Sequence, residues 1–403
     1  MKRSPYDIVA IFEQMALDLI ASMRRNLARH KLEETKEGFR WEMWQRAKLR
    51  ALGGYRRANS KIIRKAIRES EKLTDDVLKQ SFREGERRHE PLWRRFLNRI
   101  LRPFINKRQV EGMIQFPKGE QRLLMTAWEK LPSPTQERQF FSMNERKLEA
   151  LQETVKADLR KAEHGVLRKM DDVYRQVIYK AELNMAAGAK TLNQAIDMAT
   201  REFLSKGINV IEYKDGRKMN ISSYAEMALR TASQRATFLG EGKKRDEWGI
   251  YTVVMSSHEN CSPWCLPYQG TVMIDDVYTS ISPEQAQELS RETGYKLLSE
   301  AMKNGAFHPN CRHSLSTYFP GITRLPEPAN NQEALRIYEA EQHQRYIERQ
   351  IRRYKRLVAG TLDEGNQKRY VRKLDEWEAR MAEHLNRFPQ LRRNRSREVD
   401  RTA

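Results

Sequence analysis

The sequence predicts a mainly α protein with a small α+β domain: long helical arms around a compact Cys/His-knuckle domain with short strands. Three observations carry this. Apolar residues recur at helical spacing over most of the chain, as in Ile8, Ile11, Phe12, Met15, Leu19, Ile20 and Met23. Short strand-like runs and all three cysteines gather between residues 209 and 320. Charged residues make up 32% of the 403 positions against 39% hydrophobic, which leaves too few apolar side chains for one large globule. Five segments follow: a basic helical region 1–135, a long helix and connector 136–208, an α+β segment 209–325, a helical arm 326–388, and a basic, disordered tail 389–403.

Taken in order, residues 5–30 read as an amphipathic helix. Its beginning resembles the charged start of a signal peptide, but Ile8–Met23 contains Glu13 and Asp18 and has no cleavage-site pattern. Basic helical segments continue to about residue 102, with a break expected at Gly53-Gly54. Trp41, Trp44, Tyr55, Phe82, Trp93 and Phe96 are interleaved with the arginines. Such aromatics can stack on bases, yet their helical spacing favours packed apolar faces. Pro103, Pro117, Pro132 and Pro134 mark a hinge.

From Asn144 to Ala187 the apolar positions Leu148, Leu151, Val155, Leu159, Ala162, Val166, Met170, Val173 and Val177 step 3-4-4. That is an eleven-residue repeat, and the stripe needs a partner along its whole length. Gly188 closes it, and Thr191 caps a helix to about Ser205. Asp215-Gly216 between two short strand-like runs signals a hairpin. Ser222 or Ser223 caps a helix to about Trp248, in which Gly240-Glu-Gly242 reads as a break or stop rather than a phosphate cradle. Tyr251–Met255 and Gly270–Ile274 read as a strand and its return, Asp275-Asp276 as a turn, and Pro283–Met302 as a helical insert. Glu333–Val358 and Gln367–Asn386, joined across Gly360 and Gly365, form the arm.

The chemistry concentrates in His258-Glu-Asn-Cys261-Ser-Pro-Trp-Cys265 and, about forty residues on, His308-Pro-Asn-Cys311-Arg-His313. Paired knuckles separated by a loop are how a chain encloses a tetrahedral Zn2+. The expected ligands are Cys261, Cys265, His308 and Cys311, with His258 and His313 as replacements for one member. Four protein donors make a closed, structural site. The alternative is three buried free thiols beside surface histidines. An odd, clustered set of cysteines argues against a disulfide framework and for a reducing compartment.

The formal net charge is +21, and residues 1–110 carry 28 lysines and arginines against 14 aspartates and glutamates. A polyanionic neighbour is one explanation, most simply double-stranded DNA, with Arg56, Arg57, Arg64, Lys65, Arg94 and Arg95 as candidate contacts. Solvated helix faces or an acidic protein surface are the other. No apolar run reaches membrane-spanning length. No phosphate loop or dinucleotide fingerprint points to a small-molecule substrate. A metal-dependent nuclease would need a hard-cation site or an open zinc position. A zinc-dependent DNA-binding protein would need a base-reading helix after the knuckle. The sequence offers neither, so it reads as a non-enzyme.

Tyr224, Glu226-Met227, Arg230-Thr231, His258, Cys261, Cys265, Gln269-Gly270, His308–His313 and the basic run Glu348–Arg356 together resemble the phage minor capsid protein 2 family, within the wider head-morphogenesis group. The resemblance implies a low-copy structural protein of the phage head, contacting the portal, capsid components and packaged DNA. It would be assembled in the bacterial cytoplasm and carried in the virion, in the capsid interior or at the portal vertex, aiding head assembly or DNA packaging and ejection.

Overall fold

In a computed structural model the chain is described over residues 3–28, 41–101, 118–129, 137–186, 191–212, 218–327 and 330–398. The elements in order are α1 (Asp7–Ala28), α2 (Trp41–Arg88), α3 (Glu90–Phe96) running on into a π-helical turn, α4 (Lys118–Glu129), α5 (Glu137–Ala186) and α6 (Leu192–Lys206). Then come β1 (Asn209–Glu212), β2 (Lys218–Asn220), α7 (Ile221–Trp248), β3 (Thr252–Met255), β4 (Val272–Ile274), α8 (Pro283–Thr293), β5 (Lys296–Leu297), α9 (Leu298–Lys303) and β6 (Leu315–Thr317). Two helices, α10 (Asn331–Gly360) and α11 (Glu364–Arg387), follow. The expected hinge prolines, Gly188 and the Asp215-Gly216 turn lie outside the described residues, although β1 and β2 pair antiparallel on either side of that turn.

The chain divides into two compact units. Unit 1 comprises residues 1–73, 156–226 and 340–403; unit 2 comprises 74–155 and 227–339. The divisions fall inside α2, α5, α7 and α10, so the contiguous segments suggested by the sequence are not how the residues group in space.

In unit 1 the apolar stripe of α5 finds its partner in α2. Tyr55 stacks on Tyr174 at 4.4 Å between centroids. Arg56 pairs with Asp171 at 3.3 Å, Arg64 with Glu163 at 3.4 Å, and Arg160 with Glu71. Numbers rise along one helix as they fall along the other, so the pair is antiparallel. Burial of Leu159, Val166, Met170 and Val177 is complete or nearly so, as the 3-4-4 pattern requires. Thr191 caps α6 as expected, its hydroxyl accepting from the Gln194 N–H at 3.2 Å. In the arm, Ile347, Ile351 and Met381 form a buried seam between α10 and α11. Asp197 of α6 holds the connecting turn by accepting from the Leu362 N–H at 2.7 Å, the Asp363 N–H at 3.2 Å and the Thr361 hydroxyl.

Unit 2 contains a four-stranded sheet in the order β5-β4-β3-β6. β3 lies antiparallel to both β4 and β6, with Val253 opposite Met273 and Thr317. β5 joins β4 in parallel, so the insert after Pro283 is two helices separated by a short edge strand rather than one helix. Ser282 and Gln285 form a capping box on α8. An aromatic cluster of Trp93, Phe96, Trp248 and Phe319 packs beside it, the two indoles stacked at 5.1 Å. Under the sheet, the buried Asp275 accepts from Arg245 Nη2 at 2.7 Å and Nε at 2.9 Å. It also accepts from the Tyr278 N–H, so it is both the expected turn residue and a buried counter-charge.

Four further expectations are corrected. α2 is unbroken at Gly53-Gly54, because the packing of Tyr55 on Tyr174 of α5 and the burial of Ile63 outweigh a glycine cost of roughly 1 kcal/mol each. The cap of α7 is Asn220, whose side chain accepts from the Ser222 N–H at 3.0 Å, not Ser222 or Ser223. α7 does not stop at Gly240 or Gly242. A Cβ on Gly240 would lie 2.1 Å from the Phe82 carbonyl oxygen, and one on Gly85 would lie 2.1 Å from that of Thr237. The glycines let α2 and α7 touch backbone to backbone. Finally, residues 389–398 of the expected disordered tail are structured, and 399–403 lie outside the described residues. Arg397 is buried, 3.2 Å from Glu226 and 3.7 Å from Glu348, with its guanidinium over the Tyr6 ring.

Candidate metal centre

β3 and the turn after it deliver the first knuckle, and the loop leading into β6 delivers the second. The Cys265 and Leu266 N–H groups both donate to the Ser262 carbonyl, closing the first turn. The Cys311 N–H donates to the His308 carbonyl at 2.9 Å, closing the second. Asn310 adopts a left-handed φ of 70°, which asparagine tolerates. α7 fixes this turn: Arg230 donates to the Asn310 side chain at 3.2 Å, and the Thr231 hydroxyl accepts from the Asn310 N–H at 3.4 Å.

The turns bring Cys265, His308 and Cys311 together, their donor atoms all within 4.8 Å of one another. The Cys265 and Cys311 sulfurs lie 3.7 Å apart. Two thiolates on one tetrahedral Zn2+, each at about 2.3 Å, are roughly 3.8 Å apart. His313 places Nδ1 3.3 Å from the Cys311 sulfur. Its Nε2–H donates to Gln269 Oε1 at 3.1 Å, and the same oxygen accepts from the His258 N–H. That bond leaves Nδ1 as the free lone pair, aimed at the sulfurs. His308 is oriented likewise: Nδ1–H donates to the Pro309 carbonyl at 2.8 Å, leaving Nε2 to accept from the Ser262 hydroxyl at 2.7 Å.

Cys261 is fully buried, but the structure does not bring it into the Cys265–His308–Cys311 group; its sulfur contacts the Ser262 carbonyl. Burial pushes its thiol up to about 12. His258 stacks on His313 at 4.0 Å between ring centroids and is pushed down to about 4, first by burial and then by that neighbour. Cys265 is the acidic member of the cluster, its thiol lowered chiefly by the hydrogen bond that Cys311 donates to it. The Cys311 thiol is correspondingly raised, chiefly by its bond to Cys265. Two sulfurs and one imidazole in one donor group, with the Nδ1 lone pair of His313 beside Cys311, suit a borderline-soft cation. Sequence reasoning did not reach the orienting roles of Gln269 and Ser262, which depend on a turn bringing them beside rings far along the chain.

The candidate nucleic-acid residues fall in both units. Arg56, Arg57, Arg64 and Lys65 are exposed on α2 in unit 1, and Arg94 and Arg95 are exposed on unit 2. Arg56 and Arg64 pair with carboxylates of α5, and Arg94 pairs with Glu90 at 3.4 Å. Trp44, Tyr55, Phe82, Trp93 and Phe96 are buried, as helical packing requires, while the side chain of Trp41 lies outside the described residues.

The sequence matches the phage minor capsid protein 2 family over residues 122–386, a stretch that contains the whole Cys/His cluster and most of the arm. This chain belongs to that family. It is also similar to a protein described as "Structural protein" from Lactococcus phage LL-H, 26% identical over 187 residues, covering 45% of this chain and 48% of the relative. The chain thus spans about half the length of that curated relative. No solved structure matches the minor capsid protein. A phage structural role follows from the family. No helix among the described residues is long and apolar enough to cross a membrane.

Proposed function

We propose that this minor capsid protein is a low-copy component of the phage head, placed in the capsid interior or at the portal vertex in contact with portal, capsid components and packaged DNA. On this reading it aids head assembly or the packaging and ejection of DNA. The observation that carries it is the family match running from α4 through the Cys/His cluster to α11. The positive balance of the chain supports the DNA contact.

In this proposal the Cys/His cluster holds a structural Zn2+. Cys265 and Cys311 supply sulfur, His308 and His313 supply nitrogen, and Cys261 is the alternative fourth donor. The ion would cross-link the turn after β3 to the loop before β6 and supply folding energy to unit 2. The chain's own residues prepare the site: Gln269 and the Pro309 carbonyl set the tautomers, and Arg230 and Thr231 hold the Asn310 turn. Two sulfur donors in a set closed by protein favour this reading over a metal-dependent nuclease, which needs an open or hard-cation position.

Quantitative mass spectrometry of purified particles, with cross-linking before and after DNA release, tests the placement. A few copies per particle cross-linked to portal is the expected result, and loss on release would add an ejection role. Complete absence from particles would overturn it.

A further inference from the structure

A second site lies in unit 1, far along the sequence from the cysteines. α10 carries Arg349, Arg352, Arg353 and Arg356 at i, i+3, i+4 and i+7, which is one face of a helix. This face lines a cleft of about 410 Å3 together with Lys206 at the end of α6 and Glu13 of α1. Five cations there meet a single lining carboxylate.

That carboxylate is heavily shared. Glu13 lies 3.5 Å from Arg356 and 3.9 Å from Arg352, and accepts from the Ser222 hydroxyl at 2.5 Å. Arg356 is also anchored by donating to the carbonyls of Leu204 at 3.1 Å and Ser205 at 3.2 Å, and Arg352 donates to that of Arg397 at 3.0 Å. These two arginines are buried and form the floor. Arg349 and Arg353 form the wall. Arg353 donates to Gln350 at 3.4 Å and lies over the Tyr354 ring, while its Nε is buried with no acceptor among the described residues. Arg349 is held below the usual arginine range by partial burial and by the neighbouring Arg352 and Arg345. A desolvated guanidinium among like charges is relieved by a bound oxyanion.

We propose that this cleft binds the backbone phosphates of nucleic acid. Guanidinium forks match phosphate oxygens in pairs. From Arg349 to Arg356 the row spans about 10 Å of helix, which suits a string of phosphates better than one small ion. Tyr346, 41% exposed, stands at the rim beside Arg349, where an aromatic face can meet a sugar or base. The cleft is distinct from the exposed pairs at Arg56-Arg57 and Arg94-Arg95. It rests on the proposed DNA contact only for the identity of the polymer.

The test uses the full chain and a labelled short DNA duplex, read by fluorescence anisotropy across a salt series. Arg349→Gln with Arg353→Gln leaves the anchored floor intact. The expected result is an affinity loss of about tenfold or more at low salt and a drop of about 2 in the log–log salt slope, with unchanged circular dichroism. Inorganic pyrophosphate should displace the duplex from the wild-type chain. Unchanged affinity and slope in the double variant would overturn the proposal. So would a cleft that holds pyrophosphate or a polyglutamate peptide, with loss in the double variant, while duplex binding stays the same. The particle measurement fails independently: a chain absent from virions could still bind duplex through these arginines.

Discussion

The sulfur of Cys265 lies 3.7 Å from that of Cys311, and Nδ1 of His313 lies 3.3 Å from the latter. If Zn2+ fills this corner, the purified protein should carry about one ion per chain. Cys265→Ser and Cys311→Ser should abolish stoichiometric zinc by elemental analysis and loosen residues 250–320 in hydrogen exchange. Cys261→Ser should retain it. A variant at Cys261 that loses zinc would move that residue into the ligand set at the expense of His313.

Gln269 binds no metal in this scheme, yet it fixes the His313 ring and the His258 backbone with one oxygen. We expect Gln269→Ala to weaken zinc affinity about 10- to 100-fold, the range found when an orienting partner is lost. Competition with a chromogenic chelator would measure it. An unchanged affinity would make His313 a bystander.

The contact of α2 with α7 admits no side chain at Gly85 or Gly240. Alanine at either position must push backbone from backbone, and should cost about 3 kcal/mol in denaturant unfolding of unit 2. At Gly54 nothing lies within 4 Å of the added carbon, so alanine there should be neutral or slightly stabilising.

Asp275→Ala leaves Arg245 buried, with Glu241 Oε2 at 3.6 Å as its nearest remaining carboxylate. Losing one member of a buried, hydrogen-bonded ion pair costs about 3–5 kcal/mol. The variant should therefore lose a substantial part of the stability of unit 2, read as a shifted unfolding midpoint.

His384 donates to the Ala340 carbonyl at 2.9 Å between α10 and α11, and burial lowers its pKa below the ordinary histidine value. The folded arm keeps a neutral ring at pH values where the unfolded chain already takes up a proton. Its contribution to stability is therefore full above the unfolded pKa of about 6.5 and falls as the pH drops below it. The protection of α11 amides, corrected for the intrinsic exchange rate at each pH, should fall as the pH drops below about 6.5, and His384→Gln should flatten that dependence.

Much of this was legible in the sequence because it rests on local rules. The 3-4-4 stripe of α5, the Thr191 cap and the strand pair around Cys261 and Cys265 each depend on residues near one another. What stayed hidden depends on distant approach. Gly240 breaks a helix by propensity, and only the presence of Phe82 across a helix crossing reveals why it sits inside one. Cys261 has ligand spacing, but its buried thiol stays outside the tight donor group, a fact of side-chain direction rather than count. The tail looks disordered by composition, yet Arg397 meets Glu226, Glu348 and Tyr6 from three separate stretches.

Unit 1 is spliced from three stretches of chain, the last beginning at Ala340, whereas unit 2 ends at Glu339. During synthesis, then, unit 2 can finish while unit 1 still lacks α10, α11 and the arginine that meets Glu226. Tyr6 and Glu13 of the first stretch, which end against Arg397, Arg352 and Arg356, must wait through most of translation for those partners. The nascent chain therefore has a long sticky interval, and the yield of folded protein should respond to ribosome speed and holdase chaperones more than its final stability would suggest.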